Sequence, residues 1–442
     1  MSVSNFNTEK GNITKFKITA ANRDVSADMQ PIVFSYYENI FNPTVKITAD
    51  FMESGNLAEN TILDGLPIRS GEKVEVSFED NQSRRGGENN IISFEGETSL
   101  RVDQVRNVIT NPANATYSVD IKSREFFRND NCICPKTYKG KISEIVSEIF
   151  RDPGDKKVYN GLGSEVPFDV ESTKNYIKVQ GLNSKPFYFM TLLASSSIPE
   201  KIEEGKTAGF LFFQTRSGYQ FKSLDSLFAK KDRYKKYSFN NTPYPVTGYD
   251  DNILKYSVQR NVNLSEKLRS GAWSAKSYYF DTQTFNFQPQ DYNIADIEGD
   301  LEFAADSIFY PKEFVGEEGS PIPSRRYMSI LDNGNLATLD EFSEDRSKPN
   351  LDIRQLQSQS VARMNQMMST VISITIRGDF SLRAGDTIYC DFPQYQDQVS
   401  RDFNSETGGI YMISALCHRL SSDGCYTSLD LVRDSFGRQP YN

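Results

Sequence analysis

Apolar and polar residues alternate with a period of two along most of this chain, the pattern of strands that bury one face. In the N-terminal part the alternation predicts successive strands at 14–19, 32–37, 44–51, 73–78, 91–95, 99–109 and 116–123. Asn111-Pro112-Ala113-Asn114 joins the last two as a hairpin, because Asn and Pro supply turn backbone. Near Asp130 the period changes. Ile142, Ile145, Val146 and Ile149 fall on one helical face with Glu144 and Glu148 opposite, which predicts a helix over 141–150. A second helix is expected over 186–197, with Pro186 in its first turn. Strands at 209–213 and 219–221 then flank a turn at Ser217-Gly218. Segment 281–350 is rich in Asp, Glu, Gly and Pro with weak periodicity, and reads as a long, partly irregular surface insertion. A polar helix over 351–369 leads into a strand at 371–377.

Self-comparison adds an internal repeat. Residues 66–78 align without gaps onto 380–392, sharing apolar-x-apolar-Arg-small-Gly-acid-x-β-x-x-x-Phe; the core of the match is Arg69, Gly71 and Glu72 against Arg383, Gly385 and Asp386. Downstream, Ser118-Val119-Asp120-Ile121 matches Ser428-Leu429-Asp430-Leu431, each on the second arm of a hairpin and each soon followed by Arg, an acid and Phe (Arg124-Glu125-Phe126 and Arg433-Asp434-Ser435-Phe436). Arg-small-Gly-acid is a tight turn in which Gly supplies a residue with φ > 0 before a strand. One small antiparallel β-barrel or sandwich is therefore expected twice, near the two ends, with inserted material between.

Length and composition narrow the rest. At roughly 100–200 residues per domain, 442 residues imply about three domains. With 38% hydrophobic and 25% charged residues the chain can bury a core. No apolar run approaches the ~18 residues of a membrane span, and residues 1–20 lack the apolar stretch of a signal peptide. A soluble protein made in the cytoplasm, with no membrane insertion, is the expectation. A net charge of −9 argues against wrapping nucleic acid by bulk electrostatics. Five cysteines without a signal peptide read as reduced thiols.

Candidate chemistry is sparse. His418 is the one histidine, so any Ser-His-Asp, Cys-His or multi-histidine metal mechanism rests on it. Cys132-Ile133-Cys134 is too closely spaced for a zinc knuckle. Cys390, Cys417, His418 and Cys425 could converge across antiparallel strands, yet Cys417 and His418 point to opposite faces of one strand, and small side chains in a sheet account for the set. Glu144 and Glu148 read as a solvated helix face, and Gly161-Leu162-Gly163 lacks the Lys and helix of a phosphate loop. Trp273 with the many Tyr and Phe hints at sugar binding, against which core packing is the plainer reading. Lys230, Lys231, Arg233, Lys235 and Lys236 form a basic run interleaved with Tyr234: a solvated loop, or a contact to an acidic partner or phosphate backbone. No catalytic, metal or cofactor residue is assigned.

The order of motifs resembles a known family. The polar helix, the strand after it, Phe380 through Ile388, Gly409-Ile410-Tyr411-Met412-Ile413 running to His418, and Cys425 through Arg433 together resemble the baseplate hub of contractile-tailed bacteriophages, with its relatives among late control proteins and the hub part of type VI secretion spikes. Residues 210–213 and 217–224 look like the hairpin that opens the family's second barrel, and Ser184-Lys185-Pro186-Phe187 resembles its middle domain. The resemblance implies a mainly β fold with α+β insertions: a first tube-like β-barrel over 1–128, an inserted α+β domain over 129–207, a second tube-like β-barrel assembled from 208–250 and 351–436, a peripheral insertion over 251–350 and a tail at 437–442. It implies a homotrimer whose six barrels match a threefold central spike to a sixfold tail tube, with DNA passing through. The implied partners are the spike, tail tube and tube-initiator proteins, baseplate wedge proteins and the tape-measure protein. Assembly in the host cytoplasm, residence in the virion and no enzymatic activity follow from it. Two rival readings stay open: a cell-wall-degrading enzyme and a carbohydrate-binding tail protein.

Overall fold

The alternating segments fold as strands, and the chain is mainly β. A computed structural model describes residues 11–19, 26–28, 30–54, 68, 70–80, 90–111, 114–153, 161–200, 207–229, 235–239, 251–261, 263–282, 284–301, 303–305, 308, 310–316, 319–331, 353–393, 404 and 406–437. The N-terminal part supplies β1 (Asn12–Thr19), β2 (Ser26–Asp28), β3 (Val33–Asn39), β4 (Lys46–Ser54), β5 (Lys73–Glu79), β6 (Ile91–Phe94), β7 (Leu100–Thr110) and β8 (Asn114–Ser123), followed by α1 (Arg124–Asn131). An α+β segment continues through β9 (Thr137–Lys141), α2 (Ile142–Arg151), β10 (Phe168–Val170), β11 (Tyr176–Gln180), α3 (Pro186–Ala194), β12 (Phe210–Thr215), β13 (Gly218–Ser223) and α4 (Leu224–Phe228). Then come β14 (Lys235–Ser238), β15 (Ile253–Asn261), α5 (Leu264–Ser270), β16 (Ser274–Asp281), β17 (Asn286–Asn293), α6 (Ile294–Ile297) and β18 (Arg325–Leu331). The chain ends with α7 (Ile353–Met367), β19 (Thr370–Arg377), β20 (Thr387–Asp391), β21 (Gly409–Ser421) and β22 (Gly424–Arg433).

One large sheet carries both ends of the chain in the order β15-β19-β22-β21-β3-β4-β8-β7-β5-β1-β2, with β6, β14 and β20 attached. The repeat is written into that order. Strands β5-β7-β8-β4-β3 neighbour one another in the first copy, and β20-β21-β22-β19-β15 do so in the second. The two sets also follow the same order along the chain. The copies differ in their flanking strand: β1 runs antiparallel to β5, whereas β14 runs parallel to β20.

The copies share one continuous apolar core, in which Phe34, Phe78 and Val119 of the first lie with Ile374, Phe380 and Leu431 of the second. Phe78 meets Phe380 edge-on at 5.4 Å between ring centres. Each fully buried ring of this kind contributes about 1.5–3 kcal/mol, so removing either copy would expose much of the other's core.

Two placements depart from the sequence reading. The hairpin β12–β13 pairs with β10 in a separate three-stranded sheet and not with the large sheet. Alternation explains why: Phe210, Phe212, Tyr219 and Phe221 pack on the α+β core of Ile145, Ile149 and Met190, whereas Leu211 and Phe213 pack under the second copy beside Leu227, Tyr389 and Met412. A strand buried on both sides carries no signal of which sheet it joins. Second, β15 falls within the segment assigned to the peripheral insertion, yet it is a full strand of the large sheet against β19. The inserted material begins after β15, where the first copy has only the short 40–45 turn between β3 and β4. Within it, β16 pairs with β17 and with β18, and Trp273, Tyr292 and Ile294 form a small core against Ala362 of α7. Trp273 is 2% exposed, which removes it as a sugar platform.

Candidate assembly site

The repeat turns are built alike. Gly71 has φ +103° and Gly385 φ +84°, the left-handed region where only glycine is unstrained. Gly71 N donates to Val102 O at 2.8 Å and Val102 N to Glu72 O at 3.0 Å. Gly385 N donates to Ile413 O and Ile413 N to Asp386 O, both at 2.8 Å. A bulge follows at the same place in each copy, between Val102 and Gln104 and between Ile413 and Ala415. The residues opposite are Ile121-Asp120 and Leu431-Asp430, and Thr48 and Ser373 each donate a hydroxyl hydrogen bond to that aspartate. Arg383 continues its turn by donating its backbone N–H to Asp386 at 3.1 Å and its guanidinium to Ser217 Oγ at 2.9 Å. Arg69 lies outside the described residues. The strand register pairs Ile121 with Leu431, so Arg124 corresponds to Asp434 and the two Arg-acid-Phe segments stand one residue out of step.

The junction between copies is the antiparallel pair β3–β21, in register from Val33↔Ser421 to Asn39↔Ala415. Glu38 sits at its end, on the buried side with Phe34 and Tyr36. It accepts hydrogen bonds from Tyr36 Oη at 2.7 Å, Arg216 N at 2.6 Å and Ala384 N at 2.7 Å, which ties the first copy to the β12–β13 turn and to the repeat turn of the second. Burial pushes its carboxyl up to about 7, against the pull of those donors. The Arg216 guanidinium donates to the carbonyls of Phe380 and Ser381. His418 is fully buried with its ring stacked on Tyr36 and Nδ1 at 2.9 Å from Thr427 Oγ1. Burial pulls its imidazole down to about 3, so it is neutral at pH 7.

A second buried ionic cluster fastens α7. Arg363 meets Asp434 at 2.7 Å and Asp225 of α4 at 3.0 Å, all three buried. Burial alone would lower the Arg363 pKa, and the two carboxylates turn the net shift upward. Sequence reading had not singled out Glu38, Arg363 or Asp225. The available signal was phase: Glu38 falls in step with apolar Phe34 and Tyr36 on a strand, where an acid needs partners.

Of the basic run, Lys230, Lys231 and Arg233 lie outside the described residues. Lys235 is paired with buried Asp379 at 2.5 Å and Lys236 with buried Asp391 at 2.9 Å, so both cations are engaged along β14. Cys390 and Cys425 are buried and Cys417 half-buried. Burial pushes all three thiols up, that of Cys425 to about 12, which makes them poor nucleophiles and ligands. Among the described residues no three His, Cys, Asp or Glu side chains cluster as a metal site would need, and no helix is long and apolar enough to cross a membrane.

With this geometry in hand, solved structures of the same build can be compared. The chain matches the prophage MuSo2 43 kDa tail protein from Shewanella oneidensis with a TM-score of 0.51 at 10% identity, over 95% of this chain and 98% of that one. It matches a tail protein from Neisseria meningitidis with a TM-score of 0.53 at 10% identity, over 96% and 97%. The fold is that of phage tail proteins. Both matches run nearly end to end, so the paired copies and the inserted segments belong to one shared architecture. No protein-family model matches the chain, and no curated protein sequence does.

Proposed function

We propose that this chain is a structural hub of a contractile phage-tail baseplate: three copies close a ring of six similar β units that adapts a threefold central spike to a sixfold tail tube. The observation that carries this is the duplication, five strands in the same order twice within one sheet. A trimer of such chains has threefold symmetry by sequence and near-sixfold symmetry by fold, which is what a connector between the two needs. The end-to-end likeness to tail proteins supports the placement in a tail.

The face of the large sheet opposite the core supports a conduit. It presents polar side chains held in ion pairs: Asp120 takes both Lys46 at 3.5 Å and Arg106 at 2.9 Å, and Lys122 meets Asp103 at 2.9 Å. A polar wall whose cations are held by neighbouring carboxylates offers passing DNA fewer free charges to bind. In this reading the partners are the spike, the tube and its initiator proteins, wedge proteins and the tape-measure protein, and the site of action is the virion. The chain itself performs no catalysis.

The test is electron microscopy of purified protein at increasing concentration. Class averages showing a threefold ring with a sixfold inner wall are expected, and a persistent compact monomer, with or without spike protein, would sink the reading. A peptidoglycan zymogram and a glycan array address the two rivals, and activity in either assay of the isolated chain would revive them.

A further inference from the structure

Among the described residues, the intramolecular junction leaves two edges of the same kind unpaired. In the second copy, β21 pairs with β22 on one side and with β3 on the other. Its counterpart β7 pairs with β8, but on its other side it touches β5 only at Leu100 and Arg101, and among the described residues 104–110 pair with no further strand there. The counterpart of β3 is β15, which among the described residues ends the sheet and pairs with β19 alone from Lys255 onward. The part of β7 that runs past β5 therefore offers what β21 offers, and β15, at one end of the sheet, offers what β3 offers.

Both edges carry apolar side chains that a solvated edge strand ordinarily avoids: Val108 and Ile109 are 49% and 59% exposed, and Leu254 and Val258 are 39% and 46% exposed. Their irregularities also match. Strand β7 holds one extra residue between Arg106 and Ile109, and β15 holds one between Val258 and Arg260. Through the shared partners on β8/β22 and β4/β19, Arg106 corresponds to Cys417, Ile109 to Arg419, Val258 to Tyr36 and Arg260 to Tyr37. In the existing junction Cys417 faces Tyr37, His418 faces Tyr36 and Arg419 faces Ser35. The extra residue of β7 and that of β15 thus fall in the same interval, facing each other, and the register on either side is preserved.

We propose that β7 of one chain pairs antiparallel with β15 of a second copy, in the register of the β3–β21 junction, placing Ile109 opposite Ser257 and Thr110 opposite Tyr256. The contact is heterologous, so repeating it generates a closed ring or an open filament, and it rests on the ring reading above for the number at which it closes. It extends a pairing the chain already makes once, which is why a second copy is its occupant.

The test is oxidation of the double variant Ile109→Cys/Ser257→Cys, with each single variant and the out-of-register pair Ile109→Cys/Val258→Cys as controls. The expected result is covalent oligomers on a non-reducing gel for the in-register pair and their loss in all controls. In parallel, amide exchange of the unmodified chain at low and high concentration should slow on assembly in 104–110 and 254–261 together, a readout that needs no variant. Oligomers in light scattering without the disulfide and without that protection would overturn the pairing and leave the ring intact. A monomer at every concentration would overturn both.

Discussion

Two buried titratable residues at the junction act on stability in opposite directions. Glu38 holds its proton in the folded state up to about pH 7, whereas a free glutamate releases it near 4.5. Between those values the folded state binds more protons, so this group's contribution to stability falls as pH rises. His418 refuses its proton down to about pH 3 while the unfolded residue takes it up near 6.5, so its contribution rises with pH over that window. From about pH 4.5 to 6.5 the two offset, each worth on the order of 1.4 kcal/mol per pH unit. Thermal melting across this range should separate them. Glu38→Gln is expected to make stability climb more steeply with pH, and His418→Gln to make it decline. Parallel profiles for both variants would show that neither residue titrates as its burial dictates. Arg363 tests the other buried cluster. Arg363→Met leaves Asp225 and Asp434 buried without a counter-charge, at a cost of roughly 3–5 kcal/mol. Adding Asp225→Asn and Asp434→Asn should recover part of the lost melting temperature, because the neutral amides no longer need the guanidinium; further loss in the triple variant would refute that account.

Elements explain what the sequence could and could not tell. The repeat was legible because a positive-φ glycine before a strand constrains residue type: Arg-small-Gly-acid survives at 69–72 and 383–386 while most surrounding residues differ. The helices at α2, α3 and α7 were legible from their apolar faces and the proline start. The hairpin β12–β13 was misplaced because both its faces are buried, and β15 was overlooked because a long insertion separates it from β19. Non-local pairing across some hundred residues leaves no periodic trace. The turns give a graded prediction. Valine at either glycine strains the left-handed backbone by roughly 1–3 kcal/mol. A Cβ at Gly71 meets nothing within 4 Å, whereas one at Gly385 approaches Phe213 to 3.1 Å and Leu227 to 3.3 Å. Gly385→Val should therefore lower the melting temperature more than Gly71→Val, and both more than a valine at Gly87, which lies outside the described residues. Equal tolerance of valine at 71, 87 and 385 would contradict the structural role of the turn.

At the scale of the whole molecule, the pairing proposed between copies fixes how assembly depends on concentration. An open chain of n copies makes n − 1 junctions, and closing it adds one more between ends already held together, at high effective concentration. If the junction between copies repeats the rotation between the two units within a chain, only one ring size closes without strain, and intermediates with free ends are penalised against it. Sedimentation across a dilution series should then show monomer and trimer with little dimer, and the melting temperature should rise with protein concentration because only the folded chain assembles. Val258→Lys places a charge at the position that fully buried Tyr36 holds in the β3–β21 junction and should shift the series toward monomer while leaving the monomer's melting temperature within a degree or so of the unmodified chain, as expected for an exposed position. A continuous ladder of dimers, tetramers and longer species would mean that the junction does not close at three. The two free edges would then be filament-forming surfaces that a partner must cap, and the threefold ring would have to be imposed by the spike.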